Sequence, residues 1–313
     1  MSDPADPTYS DVLRARTRIA PYVRQTPVLQ DESRLPGLSF KCENLQAVGA
    51  FKSRGACNAV FALPEAAARR GVVTHSSGNH AAALARAARL RGIPAHIVMP
   101  RGAPAIKRAA VEHWAGRITE CEPTLAAREA TATSLCEATG GILVHPYDDP
   151  MVIAGQGTAL LELAEQMHAP DVVLVPVGGG GLLAGTAIAA RQRWPGVKVI
   201  GVEPSGADDA AKSFSTGHLH PQTAPETIAD GLRGALSERT LRLARQYVDD
   251  IVTVGEEAIL TAMRNLFDAL KVVVEPSGAV PLAACLEGRV TADRIALILT
   301  GGNVDLDHLP WVR

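Results

Sequence analysis

The sequence lacks the features of membrane, secreted and nucleic-acid-binding proteins. No apolar run reaches the roughly 18 residues of a membrane span, and residues 1–11 are acidic and contain proline, unlike a signal peptide. Lysine plus arginine (31) nearly balance aspartate plus glutamate (33), and no basic stripe stands out. This balance argues against nucleic acid or an anionic membrane as a partner. We therefore expect a cytoplasmic protein whose partner is a small molecule.

Cysteines and aromatic residues are also scarce. The five cysteines are an odd number and form no CxxC pair, so neither a disulfide framework nor a zinc site is expected. Small buried hydrophobes in a reducing compartment are the simpler interpretation. Aromatic residues make up 4% of the chain, whereas hydrophobic residues as a class make up 47%. Such a composition indicates alanine-rich helices packed closely on a sheet.

The order of apolar segments predicts an α/β protein. Its 313 residues exceed what one core usually accommodates, so two domains are expected. From about Gly71 onward, short β-branched runs alternate with alanine-rich segments, which is typical of βαβ units on a parallel sheet. After the turn-like residues 146–150 the strands become longer and more apolar, as in Val172–Val177 and Ile295–Thr300. Such strands indicate a sheet that is covered on both faces.

The same pattern predicts individual elements. Val272–Val274 is predicted as a further short strand, and residues 205–236 as loop with short helices. The predicted helices include Asn79–Arg91, Ala105–His113, Leu125–Thr139, Leu182–Arg193 and Glu256–Leu270.

A run of four glycines, Gly178 to Gly181, follows a predicted strand and opens a predicted helix with Leu182. Backbone N–H groups without side chains can surround a phosphate, and the helix N-terminus adds a favourable partial charge. The run also fits a dinucleotide fingerprint, Gly179-x-Gly181-x-x-Ala184, with Glu203 where a ribose-binding acid is expected. A Rossmann-type NAD-dependent dehydrogenase is therefore an alternative, although nothing else in the chain suggests hydride transfer.

Three other segments carry chemistry at the start of a helix or the end of a strand. Ser76 to His80 (Ser-Ser-Gly-Asn-His) offers hydroxyls and N–H groups to a carboxylate, or it is an ordinary helix N-cap. Lys52 opens a helix, where its charge opposes the helix dipole, and a lysine amine there can condense with an aldehyde cofactor. Thr300 ends the last strand and offers a hydroxyl at its carboxyl edge.

Together with residues 150–158, 203–205, 228–231 and 275–278, these four segments resemble the fold-type II family of pyridoxal-phosphate enzymes. The resemblance covers nearly the whole chain and is greatest to the threonine/serine dehydratase and serine racemase branch, which includes 3-hydroxyaspartate dehydratases. It implies a tryptophan-synthase-β-like α/β fold with two open twisted, mostly parallel sheets flanked by helices. It also implies a large cofactor-binding domain of residues 1–68 and 148–313, a small substrate-side domain of residues 69–147, and a homodimer.

The resemblance also assigns roles to individual residues. Lys52 would hold pyridoxal 5'-phosphate covalently, with Phe51 packed beside the ring and Asn79 bonded to the ring hydroxyl. Thr300 would face the pyridine nitrogen as a neutral hydroxyl. The phosphate would be held by Gly178, Gly179, Gly180, Gly181 and Leu182, and the substrate carboxylate by Ser76, Ser77, Gly78, Asn79 and His80.

The implied reaction is the removal of water and ammonia from threonine, serine or 3-hydroxyaspartate to give a 2-oxo acid. Lys52 would remove the Cα proton as general base, for which its pKa must be lowered. The β-hydroxyl would leave with a proton from the cofactor phosphate or from Ser77. Because Ser77 lies where racemases place a second acid/base, amino-acid racemisation is an alternative, although Ala81-Ala82 replaces the Gly-Gln of close racemase relatives.

Two further sites follow from the resemblance. Glu203, the backbone carbonyl of Ala207, and Asp209 match a divalent-metal loop, and such hard oxygen ligands suit Mg²⁺ or Ca²⁺. An acidic solvated loop is the simpler alternative. Arg128, with His75 near it, matches an arginine at the mouth of the substrate cleft and could grip a second carboxylate, as in 3-hydroxyaspartate. A solvated arginine on an amphipathic helix is the alternative there.

Overall fold

The computed structural model describes residues 5–76, 78–103 and 105–311, which form an α/β structure. The strands are β1 (Val28–Leu29), β2 (Leu38–Lys41), β3 (Val72–His75), β4 (Ala95–Pro100), β5 (Arg117–Cys121), β6 (Ile142–Leu143), β7 (Val172–Pro176), β8 (Lys198–Pro204), β9 (Asp250–Val254) and β10 (Ile295–Ile298). The helices are α1 (Tyr9–Ile19), α2 (Lys52–Ala62), α3 (Glu65–Ala68), α4 (Asn79–Arg91), α5 (Ala105–His113), α6 (Leu125–Thr139), α7 (Pro150–Gln166), α8 (Gly181–Arg193), α9 (Asp209–Thr216), α10 (Glu238–Tyr247), α11 (Glu256–Leu270) and α12 (Pro276–Leu286). Among these described helices, none combines the length and the apolar character needed to cross a membrane.

The strands form two sheets that are parallel except for one edge strand. The smaller sheet has the order β5-β4-β3-β6, and all of its strand pairs are parallel. The larger sheet has the order β1-β2-β10-β7-β8-β9, in which only β1 runs antiparallel to its neighbour. This architecture confirms the predicted fold class. Because parallel strands end at the same edge of a sheet, the loops that follow them lie side by side.

Packing divides the chain into two compact units. The first comprises residues up to Arg24 and Lys52–Gly155 and contains the smaller sheet; the second comprises Gln25–Phe51 and the residues from Gln156 onward and contains the larger sheet. The predicted domains, 1–68 with 148–313 and 69–147, remain a prediction. By packing, residues 52–68 belong with the smaller sheet, because α2 lies against α4.

Burial explains the strands of the larger sheet. Every residue of β7 and β10 is buried, as the uninterrupted apolar runs predict. Alternate side chains of the two strands share a core with Ile259 and Met263 of α11 and with Val280 of α12. In the first unit, α2 approaches α7 through glycines: a Cβ on Gly155 would lie 2.6 Å from Gly55 Cα. Any larger residue at Gly155 would therefore displace the helix that begins at Lys52.

One predicted element is wrong. Val272–Val274 forms no strand, because its polar groups have other partners than a sheet ladder. The carbonyl of Val273 accepts a hydrogen bond from Asn44 Nδ2 at 3.0 Å, and the N–H of Glu275 donates to Gly301 at 2.9 Å. The run still buries Val272 and Val274, which accounts for its apolar sequence.

Candidate active site

Lys52 is the first residue of α2, as predicted, and its amine has a defined partner within the first unit. Nζ donates to the backbone carbonyl of Pro146 at 2.9 Å. Burial disfavours the ammonium form and lowers the pKa of Lys52 from 10.5 to about 8. About half of this amine is therefore neutral at pH 8, whereas an ordinary lysine would be almost fully protonated there. Neutral amine is the form that can act as a nucleophile or a base.

The ends of β3 and β6 bring two histidines together. The two strands pair in parallel, so His75 and the loop that contains His145 lie at the same sheet edge. The ring centroids of His75 and His145 are 5.1 Å apart, and the ring of Tyr147 lies 4.6 Å from that of His145. His145 Nδ1 accepts the N–H of Asp148 at 2.9 Å, so its ring proton resides on Nε2.

The serine loop turns from β3 into α4. Ser76 is anchored by its N–H to Val98, and its Oγ accepts the N–H of Gly78 at 3.2 Å. A Cβ on Gly78 would have no atom within 4 Å, so this residue borders open space. Gly78 is also the N-cap of α4 and provides no side-chain cap, which suits an exogenous anion. Ser77 lies outside the described residues, so its predicted role as second acid/base stays a prediction.

Asn79 and His80 follow at the start of α4. Asn79 is the first residue of α4. His80 is buried at 1% exposure, and neither ring nitrogen has a hydrogen-bond partner in the described part of the chain. Burial, reinforced by the nearby charge of Lys52, holds the pKa of His80 well below its usual value. His80 is therefore a neutral ring beside the lysine.

Arg128 lies in the first turn of α6 and is partly exposed. Its Nε is 3.4 Å from the carbonyl of Thr124, and its guanidinium makes no ion pair with any described residue. Burial lowers the pKa of His75, the opposing charge of Glu129 raises it, and Arg128 lowers it further. The charge of Arg128 thus acts on His75, and the predicted role of the two residues at the substrate site stays a prediction.

The four-glycine run links β7 to α8 in the second unit. Gly180 is the N-cap of α8 with φ +82°, a conformation that glycine adopts without strain, and it provides no side-chain cap. The N–H groups of Gly178 to Leu182 have no hydrogen-bond acceptor among the residues that the structure describes. This is the arrangement expected of an anion site at a helix N-terminus.

Thr300 follows β10 and is 3% exposed. Its carbonyl accepts the N–H of Phe51 at 3.0 Å, and Gly302 donates to the carbonyl of Gly49 at the same distance. These bonds tie the end of β10 to the backbone that precedes Lys52. The Thr300 hydroxyl makes no hydrogen bond within the described ranges, so it is available to a ligand.

The predicted metal loop follows β8. Glu203 is buried and accepts N–H groups of Ala210 at 3.2 Å and of Ala211 at 2.6 Å. Asp209 accepts Gln222 Nε2 at 3.0 Å through one oxygen, while its other oxygen is buried without a partner among the described residues. Burial raises the pKa of Glu203 to about 8 and that of Asp209 to about 6. No cluster of three His, Cys, Asp or Glu side chains that could hold a metal occurs in the described residues.

Sequence reasoning missed His145, Pro146 and Tyr147, which were interpreted only as a strand end and a turn. The carbonyl of Pro146 is the hydrogen-bond acceptor for Lys52, and His145 extends the aromatic cluster from His75. The available signal was positional: these residues follow the strand run 141–145, and loops at the carboxyl ends of parallel strands form sites.

The lowered pKa of Lys52 predicts its reactivity toward amine reagents. In the cofactor-free protein, labelling of Lys52 by acetic anhydride should reach half its maximal rate at about pH 8, because only the neutral amine reacts. The same peptide in the denatured protein should show the ordinary midpoint of 10.5. Mass spectrometry of the digested protein provides the measurement. A midpoint near 10.5 in the folded protein would show that burial does not perturb this lysine.

Comparisons with known proteins assign the family. The family model "Pyridoxal-phosphate dependent enzyme" matches residues 19–301. The chain is 49% identical over 311 residues to a beta-hydroxyaspartate dehydratase of Paracoccus denitrificans, covering 97% of this chain and 99% of that protein. It is 48% identical to a serine racemase of Arabidopsis thaliana, covering 95% and 93% of the two chains. The structure of maize serine racemase superposes with a TM-score of 0.94 at 45% identity, covering 97% of this chain and 96% of that one. The lysine, the glycine run and the strand-end threonine thus stand in a chain that belongs to the fold-type II pyridoxal-phosphate-dependent enzymes.

Proposed function

We propose that this protein is a pyridoxal-phosphate-dependent dehydratase and ammonia-lyase of small β-hydroxy amino acids. The observation that carries the proposal is Lys52, a helix-opening lysine whose amine donates a hydrogen bond to the carbonyl of Pro146 and whose pKa is lowered to about 8. A dehydratase relative at 49% identity supports elimination as the reaction. Family membership overturns the NAD-dependent dehydrogenase alternative for the glycine run.

The chemical character of these residues fits the cofactor. An aldehyde needs a neutral amine, and Lys52 provides one. A phosphate needs several N–H donors, and the N–H groups of Gly178 to Leu182 have no acceptor within the described chain. A pyridine nitrogen needs a polar neighbour, and the hydroxyl of Thr300, which makes no hydrogen bond among the described residues, can serve as one. Phe51 and Asn79 would contact the ring and its hydroxyl.

When bound, pyridoxal phosphate withdraws electrons from the substrate and makes its Cα proton acidic. Lys52 then removes that proton through Nζ, and the carbonyl of Pro146 gives the amine a resting position. The loop at Ser76 and Gly78, at the N-terminus of α4, binds the substrate carboxylate. The neutral hydroxyl of Thr300 adds no charge near the ring, which favours elimination. The β-hydroxyl leaves as water after it gains a proton, and hydrolysis of the released unsaturated amino acid by water gives a 2-oxo acid and ammonia.

The Lys52→Ala variant tests this function. Formation of 2-oxo acid from serine, threonine and 3-hydroxyaspartate should fall by more than about 10³-fold, because both the covalent anchor and the base are removed. Lys198→Ala, which removes an exposed lysine at the start of β8, is the matched control and should retain activity. Near-normal elimination by Lys52→Ala would refute the proposal, as would a wild-type protein that produces no 2-oxo acid from any of the three.

Racemisation is the second candidate function, because a plant serine racemase is 48% identical to this chain. Ser77 would supply the acid/base on the second face of the substrate. Chiral chromatography of the residual amino acid in the same assay separates the two reactions. D/L interconversion without 2-oxo acid would favour the racemase.

Among the three substrates, we propose 3-hydroxyaspartate as the preferred one. Arg128 supports this proposal. Its guanidinium has no carboxylate partner in the described chain, and its charge lowers the pKa of His75. A guanidinium binds a carboxylate through two parallel charge-assisted hydrogen bonds. Serine and threonine have no second carboxylate with which to use it.

Arg128→Ala should therefore discriminate between substrates. A charge-assisted bond is worth roughly 1.5–3 kcal/mol, so kcat/KM for 3-hydroxyaspartate should fall about 10- to 100-fold. The value for serine should change little. Arg101→Ala removes an exposed arginine of the same unit that pairs with Glu122, and it controls for lost surface charge. An equal loss on both substrates, or none on either, would remove the argument for a dicarboxylate.

We further propose that the loop after β8 binds Mg²⁺ or Ca²⁺. Asp209 has a buried oxygen without a partner, and the carbonyl of the buried Ala207 accepts no hydrogen bond among the described residues. Glu203 adds a carboxylate whose oxygens accept one N–H each and retain capacity for a cation. Three protein oxygens with water completing the shell suit either ion.

Metal removal tests this site. At a hundredfold excess over its Kd, a bound cation stabilises the folded protein by about 2.7 kcal/mol, so EDTA should lower the melting temperature and added Mg²⁺ or Ca²⁺ restore it. Asp209→Asn should abolish this response, whereas Asp208→Asn, which loses an ion pair with Lys212 and a nearby charge but none of the proposed ligands, should retain it. A melting temperature unaffected by chelation would eliminate the metal proposal. The homodimer and the cytoplasmic location remain proposals from the sequence.

A further inference from the structure

Within the second unit, the glycine run packs against Leu236 and against the first turn of α10. A Cβ on Gly180 would lie 2.6 Å from Leu236 Cδ2 and 2.9 Å from Thr240 Cβ. The Gly180 backbone is therefore in direct van der Waals contact with both side chains. Leu236 is 5% exposed and Thr240 is fully buried, so both side chains are packed among other residues as well as against Gly180.

The first turn of α10, which contacts Gly180, is held in place by a reciprocal capping box between Ser237 and Thr240. The N–H of Thr240 donates to Ser237 Oγ at 3.1 Å, and the N–H of Ser237 donates to Thr240 Oγ1 at 2.8 Å. Thr240 thus contacts Gly180 with the same side chain that closes the cap. Any displacement of the cap would be transmitted to the glycine run.

The other end of the run is held by the same chain segment. A Cβ on Gly178 would lie 3.1 Å from Leu232 Cα and 3.2 Å from the carbonyl of Gly231. Gly231 is in turn fixed by its N–H, which donates to Ser277 Oγ at 3.0 Å. Residues 231–240 therefore support both Gly178 and Gly180, the residues on either side of Gly179.

We propose that Leu236 and Thr240 are positioning residues for the phosphate-binding N–H groups of the glycine run. This inference rests on the proposed cofactor function. Several N–H donors hold one phosphate only if their spacing is set before binding, since a loop that must be ordered by its ligand binds more weakly. Packing from Leu236 and from Thr240 in the first turn of α10 sets that spacing at Gly180, the residue whose φ of +82° makes the turn into α8.

Leu236→Ala tests the proposal through ligand affinity. Pyridoxal phosphate and pyridoxal share ring and aldehyde but differ in the phosphate, so both are titrated into the cofactor-free protein and followed by absorbance. Loss of the Leu236 side chain should raise Kd for pyridoxal phosphate about tenfold, because the loop is no longer pre-organised. The Kd for pyridoxal should change less than about threefold. Leu243→Ala, a truncation of equal size at a buried site within α10, should leave the ratio of the two constants unchanged.

Thr240→Val and Thr240→Ser give a second, independent test. Valine removes the hydroxyl that caps Ser237, whereas serine keeps it together with the Cβ that contacts Gly180. Only the valine variant should weaken pyridoxal phosphate selectively, and melting temperatures of the cofactor-free variants report folding. Equal weakening of both ligands, or an unchanged ratio in Leu236→Ala and Thr240→Val, would overturn the inference. A wild-type protein that binds neither ligand would instead refute the cofactor proposal.

Discussion

Parallel strand pairing is the constraint on which the site residues depend. In the second unit, β10, β7, β8 and β9 pair in parallel, so their carboxyl ends meet at one edge. The turns beyond that edge carry the glycine run, the acidic loop at Glu203 and the hydroxyl of Thr300. In the first unit, β3 and β6 similarly bring His75 and His145 to one edge. The polar groups in these turns need not pair with a neighbouring strand and can instead meet a ligand.

Packing behind the turns determines what they can do. Gly180 can adopt its left-handed conformation because it lacks a side chain, and it must lack one because Leu236 and Thr240 occupy the space. Lys52 is held differently: burial keeps its amine from being fully protonated, and the carbonyl of Pro146 accepts its hydrogen bond. In each case contacts with apolar or backbone atoms set the conformation or the protonation of a polar group. The reactivity of the site therefore depends on the packing around it.

Local sequence patterns predicted much of the fold. The helices α4, α5, α6 and α11 have the predicted bounds because alanine-rich or amphipathic segments end at clear breaks, such as the left-handed C-cap Gly92. Two elements were hidden by their composition. The apolar run Val272–Val274 suggests a strand, but its partners are the side chain of Asn44 and a loop. The helix α12 was not predicted, because Gly278 and Pro281 lie inside it and mask a segment that is buried over most of its length.

The site residues, too, could be predicted from the sequence only in part. Lys52, the glycine run and Thr300 were recognisable because each needs a specific residue type. Pro146 contributes only a backbone carbonyl, Leu236 contributes an apolar contact, and Thr240 contributes a contact and a helix cap. None of these roles can be recognised from the sequence, because each depends on where the folded chain places the residue.

The central claim is that Lys52 carries the cofactor. Borohydride reduction of the protein loaded with pyridoxal phosphate, followed by digestion and mass spectrometry, should find the pyridoxyl group on the peptide that contains Lys52. A pyridoxyl group on another lysine, or on none, would contradict the account.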